Sequence, residues 1–333
     1  MNICNSSIRK KKICGIKNYG YNCYINSGIQ ILARCENLIK ELNNYQGNNQ
    51  LIVLLKKAFD SILNQDFYDP IQFIKAYLSY NNELEYSQNC SQSFIRKLIH
   101  NINREFLKYN PPNITLKYNT SKIKENGEYI AFKNYKDNEN ILNQSKAFCL
   151  FSVISKSFIN QKCCLCSKDI LQYSYNQFID HNLYLDEFKN KDQISFLEIL
   201  KINLGKSIDL NMKCPFCRKE IKVKETTRIV KLPDILIFTL ERYINGINDI
   251  RIINSVDIDM KDYIDDTVKK HYKTIYKLFA INIRYGNHYG HQICQIISDN
   301  NAYEINDTSI QIININNLEE RNSYGLFYKR IDN

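Results

Sequence analysis

The residue best placed for nucleophilic chemistry is Cys23, in the stretch GIKNYGYNCYINSGIQIL that covers residues 15–32. Apolar residues recur at helical spacing directly after this cysteine, so we expect a helix to begin there. The amino end of a helix carries a partial positive charge, which favours the nucleophilic thiolate. Asn22 occupies the position of an N-cap, and Asn18 could direct its side-chain amide at the oxyanion of a tetrahedral intermediate. A lone cysteine at such a position is most often simply buried. Its assignment as a nucleophile therefore also requires a residue that can act as a base.

His291 is the histidine best placed to act as that base. It opens the strand-like run QICQII, so its imidazole is expected at the mouth of a rigid strand, whereas His288 lies in the flexible stretch GNHYG. Some fifteen residues further on, Asn306 and Asp307 fall at a turn between two strand patterns, where an amide or a carboxylate could accept the Nδ1 proton of His291. With Cys23, these residues follow the chain order of papain-like proteases.

Four of the 12 cysteines form two C-x-x-C pairs, Cys163 with Cys166 and Cys214 with Cys217. Each pair lets two thiolates reach one ion at about 2.3 Å, and two pairs complete a closed tetrahedral structural Zn²⁺ site. Cys164 could replace Cys163 as a ligand, but only Cys163 has the spacing of three to Cys166. Neither pair leads into a helix with a stripe of Arg and Lys, which argues against a nucleic-acid-binding zinc module.

The composition describes a globular chain of 333 residues, 44% hydrophobic, with a formal net charge of +10. This composition excludes a disordered chain, a collagen and a disulfide-stapled miniprotein. The excess of basic residues bears on solubility and does not by itself indicate a nucleic-acid partner. We find no apolar run of 18 residues and no secretory signal, so we expect a soluble intracellular protein with reduced cysteines. The segment Arg9–Lys12 is interpreted as a solvated tail, with a nuclear-import patch as the alternative.

The elements that must position these residues fall into two halves. Residues 24–110 show helical periodicity, with Asp69 and Pro70 at the start of one helix, and residues 108–147 favour irregular connections around one or two short strands. After Leu150 the apolar runs become short and β-branched or aromatic, as in FSVIS, DILIFTL, LFAINI, QICQII, TSIQII and YGLFY. This segregation predicts an α+β fold and argues against a doubly wound parallel sheet.

Several of these stretches together resemble the ubiquitin-specific protease family. The segment around Cys23 resembles the family's Cys box, and YKLFAINIRYGNHYGHQICQI, AYEINDTSI and YGLFYKR resemble its His box and last strands. KLPDILIFTLERY, QNCSQSFIRKLI and AFCLFSVISK also fit, so the resemblance extends from about residue 14 to 330. It implies that Cys23 is the nucleophile, His291 the general base and acid, Asn306 its orienter, Asn18 the oxyanion donor and Asp307 an acidic neighbour that assists His291.

The resemblance also implies a fold and an activity. The fold is a papain-like domain with a helical thumb, a mostly antiparallel palm and zinc-tipped fingers. The activity is hydrolysis of the isopeptide bond after the C-terminal glycine of ubiquitin through an acyl-enzyme. We expect the following ranges: a basic tail at 1–13 and one catalytic domain at 14–333, with the thumb at about 14–107, the fingers at about 148–230 and the palm at about 108–147 and 231–333.

The chain departs from the family pattern at several positions. Tyr21 stands two residues before the nucleophile, and Gln292 follows His291 where an aromatic residue is usual. Two carboxylates that help to hold the basic tail of ubiquitin are replaced by Cys90 and Ser93. These losses predict weaker binding of the ubiquitin tail or a different modifier. They keep open a second hypothesis, a catalytically weak or inactive ubiquitin-binding protein that retains the fold.

The partners implied by the resemblance are ubiquitin and ubiquitinated proteins. We expect a monomer with no membrane or nucleic-acid partner, located in the cytoplasm, the nucleus or both.

Overall fold

The structure is a computed structural model, and it describes residues 13–83, 89–109, 129–132, 144–204, 207–242, 249–286, 290–298 and 301–331. The basic segment Arg9–Lys12, His288 and much of the predicted irregular segment 108–147 lie outside the described residues.

Helices dominate the first third of the described chain, as the periodicity predicted. The α-helices of the described residues are α1 (Cys23–Leu32), α2 (Glu36–Asn43), α3 (Gln50–Asn64), α4 (Ile71–Asn81), α5 (Ser91–Tyr109), α6 (Lys146–Cys149) and α7 (Phe196–Leu204). The sequence did not predict α7, which lies within the half that was expected to be mostly sheet.

Strands account for most of the second half, and each of the six apolar runs named above lies in or overlaps a strand. The first strands are β1 (Gly15–Ile16), β2 (Phe67–Tyr68), β3 (Tyr129–Phe132), β4 (Val153–Lys162), β5 (Asp169–Phe178), β6 (Asp180–Tyr184), β7 (Gln193–Ser195), β8 (Ser207–Lys213) and β9 (Glu220–Lys231). The later strands are β10 (Ile235–Glu241), β11 (Arg251–Ile253), β12 (Asp257–Asp259), β13 (Ile275–Tyr285), β14 (His291–Ser298), β15 (Asn301–Asn306), β16 (Ser309–Ile313) and β17 (Ser323–Arg330).

The described residues divide into two compact units. The first is drawn from Met1–Ile95 and Asn282–Leu318, and the second from Arg96–Ile281 and Glu319–Asn333. The first unit therefore contains all the residues predicted for catalysis, and the second contains all the predicted metal ligands.

In the first unit, α1 is fixed between a sheet and a helix. Strands β14, β15 and β16 are antiparallel neighbours, and the Ser27 hydroxyl of α1 donates to the backbone oxygen of Ile293 in β14 at 3.1 Å. On the side of α5, a Cβ added to Gly28 would lie 2.5 Å from Cδ1 of Phe94, so glycine permits this close approach. Helix α1, which begins at the predicted nucleophile Cys23, is consequently held on two sides.

The second unit contains two groups of strands. Strands β5, β4, β9 and β8 form an antiparallel series, and β3 joins β5 in parallel at its edge. In the other group, β10 is antiparallel to β17 and parallel to β6. Helices together with mainly antiparallel strands confirm the predicted α+β class. Among the helices described, none is both long and apolar enough to cross a membrane.

Candidate active site

Cys23 is the first residue of α1, and its side chain is buried. Asn22 occupies the N-cap position, as expected, but its side chain makes no capping hydrogen bond. Instead, its Oδ1 accepts from the backbone N–H of Tyr19 at 2.6 Å, and its Nδ2 donates to the backbone oxygen of Lys17 at 3.1 Å and to Oδ1 of Asn26 at 2.8 Å. Asn22 therefore has the predicted N-cap position, but its side chain braces the loop before Cys23 and does not cap the helix.

The environment of Cys23 favours the neutral thiol. Burial raises the pKa of Cys23 above its ordinary value; the backbone amide of Gln292 acts in the opposite direction, and the carboxylate of Asp307 adds to the increase. This net direction is opposite to the one expected from the helix start alone, because desolvation of the sulfur outweighs the backbone amides. A thiol with a raised pKa stays protonated near neutral pH, so its attack requires a base that removes the proton.

His291 is the first residue of β14, and its side chain is exposed. Its Nε2 lies 2.7 Å from Oδ1 of Asn306, the last residue of the antiparallel neighbour β15. An amide oxygen can only accept a hydrogen bond, so this contact assigns the proton to Nε2 and leaves Nδ1 as the basic nitrogen. The expectation that Asn306 binds Nδ1 is wrong on this point, because the contact is made by Nε2.

Asp307 follows Asn306 and has a φ of 53°, in the left-handed region. Its Oδ2 accepts from Nδ2 of Asn18 at 2.7 Å, and its Oδ1 accepts from Nδ2 of Asn26, also at 2.7 Å. Both carboxylate oxygens are therefore bound to side-chain amides, one in the loop before Cys23 and one in α1. The resemblance implied that Asp307 assists His291. In the structure, the hydrogen bonds of its carboxylate join it to Asn18 and Asn26.

Asn18 is held at both ends of its side-chain amide. Besides the Nδ2 donation to Asp307, its Oδ1 accepts from the backbone N–H of Gly20 at 2.8 Å, and Gly20 has a φ of 91°, which favours glycine. Among the described residues, the second N–H of this amide has no hydrogen-bond partner. It is the group that could donate to an oxyanion.

The sequence patterns assigned no role to two further residues of this site. Asn26 is 2% exposed on a helix in which every residue is buried, and a polar amide three residues after Cys23 was the available signal. Gln292, noted only as a departure from an aromatic residue, accepts from the backbone N–H of Ser91 and donates to the backbone oxygen of Asn89, both at 2.8 Å. Its side chain therefore ties the strand of His291 to the start of α5.

The positions of the missing carboxylates lie at that same helix start. Sγ of Cys90 lies 3.0 Å from Oγ of Ser93, and both residues are partly buried. The backbone N–H of Ser93 also points to this sulfur, at 3.4 Å. The thiol of Cys90 and the hydroxyl of Ser93 are thus hydrogen-bonded to each other at the positions where the family pattern has two carboxylates.

In the second unit, the four predicted cysteine ligands converge. The sulfurs of Cys163, Cys166, Cys214 and Cys217 all lie within 4.8 Å of one another, and two of the separations are 3.8 Å. Sulfurs at the corners of a tetrahedron around zinc, each about 2.3 Å from the ion, lie about 3.8 Å apart. The set therefore fits a metal ion of this size. Cys164 is exposed and outside the set, which resolves the alternative in favour of Cys163.

Two equivalent turns present these ligands. The backbone N–H of Ser167 donates to the oxygen of Cys163, and that of Arg218 donates to the oxygen of Cys214, both at 2.9 Å. Ser167 and Arg218 both have a positive φ. The sulfurs rest on an apolar cluster formed by Ile159, Ile170, Ile221 and Val223. The remaining cysteines of the described residues form no disulfide.

Comparison with known proteins identifies the family. A family model described as ubiquitin carboxyl-terminal hydrolase matches residues 14–328, which is nearly the whole chain. The chain therefore belongs to the ubiquitin carboxyl-terminal hydrolase family, which confirms the resemblance seen in the sequence.

Individual relatives are more distant. Ubiquitin carboxyl-terminal hydrolases 9 and 10 of Arabidopsis thaliana are each 28% identical over 128 residues, which is 35% of this chain and 14% of each relative. Probable ubiquitin carboxyl-terminal hydrolase 4 of Schizosaccharomyces pombe is 22% identical over an alignment of 352 residues, covering 95% of this chain and 58% of the relative. The chain thus spans less than two thirds of the length of these relatives.

Proposed function

We propose that this protein is a deubiquitinating cysteine protease that hydrolyses the isopeptide bond after the C-terminal glycine of ubiquitin. The observation that carries the proposal is the contact between His291 Nε2 and Asn306 Oδ1 in the unit whose helix α1 begins at Cys23. Membership of the ubiquitin carboxyl-terminal hydrolase family supports the substrate. We further propose that the chain has the helical thumb, the palm and the metal-tipped fingers that the resemblance implies.

The reaction begins with the neutral thiol of Cys23. Nδ1 of His291 takes the thiol proton, and the thiolate adds to the carbonyl carbon of the terminal glycine to give a tetrahedral oxyanion. The imidazolium then protonates the nitrogen of the leaving lysine as the carbon–nitrogen bond breaks, which leaves ubiquitin as a thioester on Cys23. Water, deprotonated by His291, attacks this thioester, and the thiolate that leaves takes the proton back.

Asn18 stabilises the oxyanion in this scheme. Its Nδ2 has one N–H on Asp307 and a second N–H directed elsewhere, so the carboxylate of Asp307 fixes the rotation of the amide. An oxyanion donor of this kind contributes about 10²- to 10³-fold to the rate. We therefore assign Asp307 to the positioning of Asn18 and Asn26, and we assign the orientation of His291 to Asn306.

The four-cysteine set is proposed to hold Zn²⁺. Thiolates suit zinc, the sulfur separations match a tetrahedral ion, and four protein ligands leave no open position for substrate. When bound, the ion supplies a structural cross-link between the turn before β5 and the turn before β9. Because the ligands come from two separate turns, loss of the metal would loosen this end of the sheet.

The catalytically weak ubiquitin-binding protein remains the second candidate. It is favoured by the thiol–hydroxyl contact between Cys90 and Ser93, which replaces the carboxylates expected to hold the arginines of the ubiquitin tail. The retained residues Cys23, His291 and Asn306 favour the enzyme.

Incubation with a ubiquitin that carries a C-terminal electrophile, followed by peptide mapping, tests the two candidates. The enzyme predicts one covalent adduct, at Cys23, which is lost in Cys23→Ala and retained in the control Cys164→Ala, since Cys164 is exposed and outside the metal set. Binding of ubiquitin without an adduct would favour the second candidate, and an adduct that persists in Cys23→Ala would reject the assignment of the nucleophile.

A further inference from the structure

Three side chains outside the predicted site form a closed cluster around the backbone of Asn18. The hydroxyl of Tyr19 lies 2.7 Å from Oδ1 and 2.8 Å from Oδ2 of Asp69. Nζ of Lys17 lies 3.5 Å from Oδ2 of the same carboxylate and 4.5 Å from the centre of the Tyr19 ring. Both neighbours of Asn18 in the chain are therefore bound to one carboxylate.

That carboxylate is itself anchored to a helix. Asp69 lies just before α4, and its Oδ1 accepts from the backbone N–H of Ile71, the first residue of the helix, at 3.1 Å. The backbone N–H of Lys17 donates to the oxygen of Tyr68 at 3.0 Å, and β1 pairs with β2 directly before it. The start of the loop before Cys23 is consequently attached to the segment that leads into α4.

Asn18 is the residue enclosed by these contacts. Its flanking side chains bind Asp69, whereas its own Nδ2 donates to Asp307 at 2.7 Å. Two carboxylates from distant parts of the first unit thus act on three consecutive residues, and together they restrict the rotation of the Asn18 backbone and amide.

Stability alone does not account for the cluster. The side chains of Lys17 and Asp69 are 46% and 40% exposed, and ion pairs with such exposure contribute little to the free energy of unfolding. Small displacements of a group that must meet a transition state are, in contrast, costly to the rate.

We infer that Asp69 and Tyr19 are positioning residues for Asn18, holding the loop so that its free N–H meets the oxyanion. This inference rests on the proposed function, because it gives the cluster a role in a reaction in which Asn18 is the oxyanion donor. It adds two residues to the site: Tyr19, which lies within the Cys23 segment but had no role there, and Asp69, which lies outside the stretches by which the sequence resembles its family.

The test is Tyr19→Phe, which keeps the ring beside Lys17 and removes only the hydroxyl. We expect kcat on a ubiquitin substrate to fall about three- to tenfold, the size expected for one exposed hydrogen bond to a carboxylate, with KM within about twofold of the wild type. In the background Asn18→Ala the same change should have no further effect. As a control, Asp186→Asn breaks an ion pair of similar exposure with Lys189 and should leave kcat unchanged.

A second measurement separates this inference from the proposed function. The side-chain amide of Asn18 gives a ¹⁵N–¹H signal that can be followed in the wild type and in Tyr19→Phe whether or not ubiquitin is cleaved. Faster solvent exchange of this amide in Tyr19→Phe supports the positioning role, and an unchanged signal overturns it. Absence of cleavage by the wild type would reject the proposed function instead. A loss of kcat in Tyr19→Phe that is equally large in the Asn18→Ala background would also overturn the inference.

Discussion

Asp307→Asn is expected to lower turnover without lowering the reactivity of the Cys23 thiol. The substitution replaces one of two carboxylate oxygens, each of which accepts a 2.7 Å hydrogen bond, by an amide group that can only donate. It also removes a negative charge that raises the pKa of Cys23. The first effect loosens Asn18 or Asn26, and the second effect makes the Cys23 thiol more acidic.

The size of the first effect follows from these contacts. A hydrogen bond to a charged group contributes about 1.5–3 kcal/mol, which corresponds to a factor of about ten to a hundred or slightly more. Complete loss of an oxyanion donor sets an upper limit of about 10²- to 10³-fold. We therefore expect kcat on a ubiquitin substrate to fall about 10- to 100-fold in Asp307→Asn.

The second effect is measured by alkylation of Cys23 with iodoacetamide at pH 7. Because a lower thiol pKa increases the thiolate fraction at a fixed pH, Asp307→Asn should alkylate as fast as the wild type or faster. Asp60→Asn is the matched control, since Asp60 also accepts from an asparagine amide, that of Asn64 at 2.8 Å in α3. Wild-type turnover in Asp307→Asn, or alkylation slowed in proportion to turnover, would refute the positioning role of Asp307.

Three further predictions concern packing, substrate affinity and the metal. Gly28→Ala places a Cβ against Phe94 and should lower the free energy of unfolding by about 1–3 kcal/mol in a urea titration; a wild-type midpoint would show that the helices can separate without cost. The double change Cys90→Asp with Ser93→Glu adds negative charges at the start of α5, where the helix dipole favours them, and should raise kcat/KM on ubiquitin about 10- to 100-fold; no increase would mean that other groups hold the tail. Elemental analysis should find one zinc per chain and less than one in Cys214→Ser, and a folded wild-type protein without zinc would contradict the site.

Local patterns were sufficient for much of the fold. Helical spacing after Cys23 predicted α1, and short β-branched and aromatic runs predicted the strands that follow residue 150, because these signals depend on residues close together in the chain. The helix α7 was missed, since it is only nine residues long and lies among strands. The two C-x-x-C pairs predicted the four cysteines whose sulfurs converge, because the spacing within each pair allows two thiolates to reach one ion.

The contacts within the candidate site could not be predicted from local sequence patterns. That Asp307 binds Asn18 and Asn26 depends on contacts between residues more than 280 positions apart in the chain. The choice between the two nitrogens of His291 depends on how the ends of β14 and β15 meet. Burial also reversed the expected acidity of Cys23, and burial of one side chain is a property of the whole packed unit.

Cleavage of an isopeptide bond between ubiquitin and a lysine side chain is the decisive test of the proposed deubiquitinating activity. The wild-type protein is predicted to release free ubiquitin from isopeptide-linked diubiquitin, with a detectable thioester intermediate on Cys23, and Cys23→Ala is predicted to release none. Release of ubiquitin by Cys23→Ala at the wild-type rate would contradict the account, as would a folded, zinc-loaded wild-type protein that binds diubiquitin and leaves it intact.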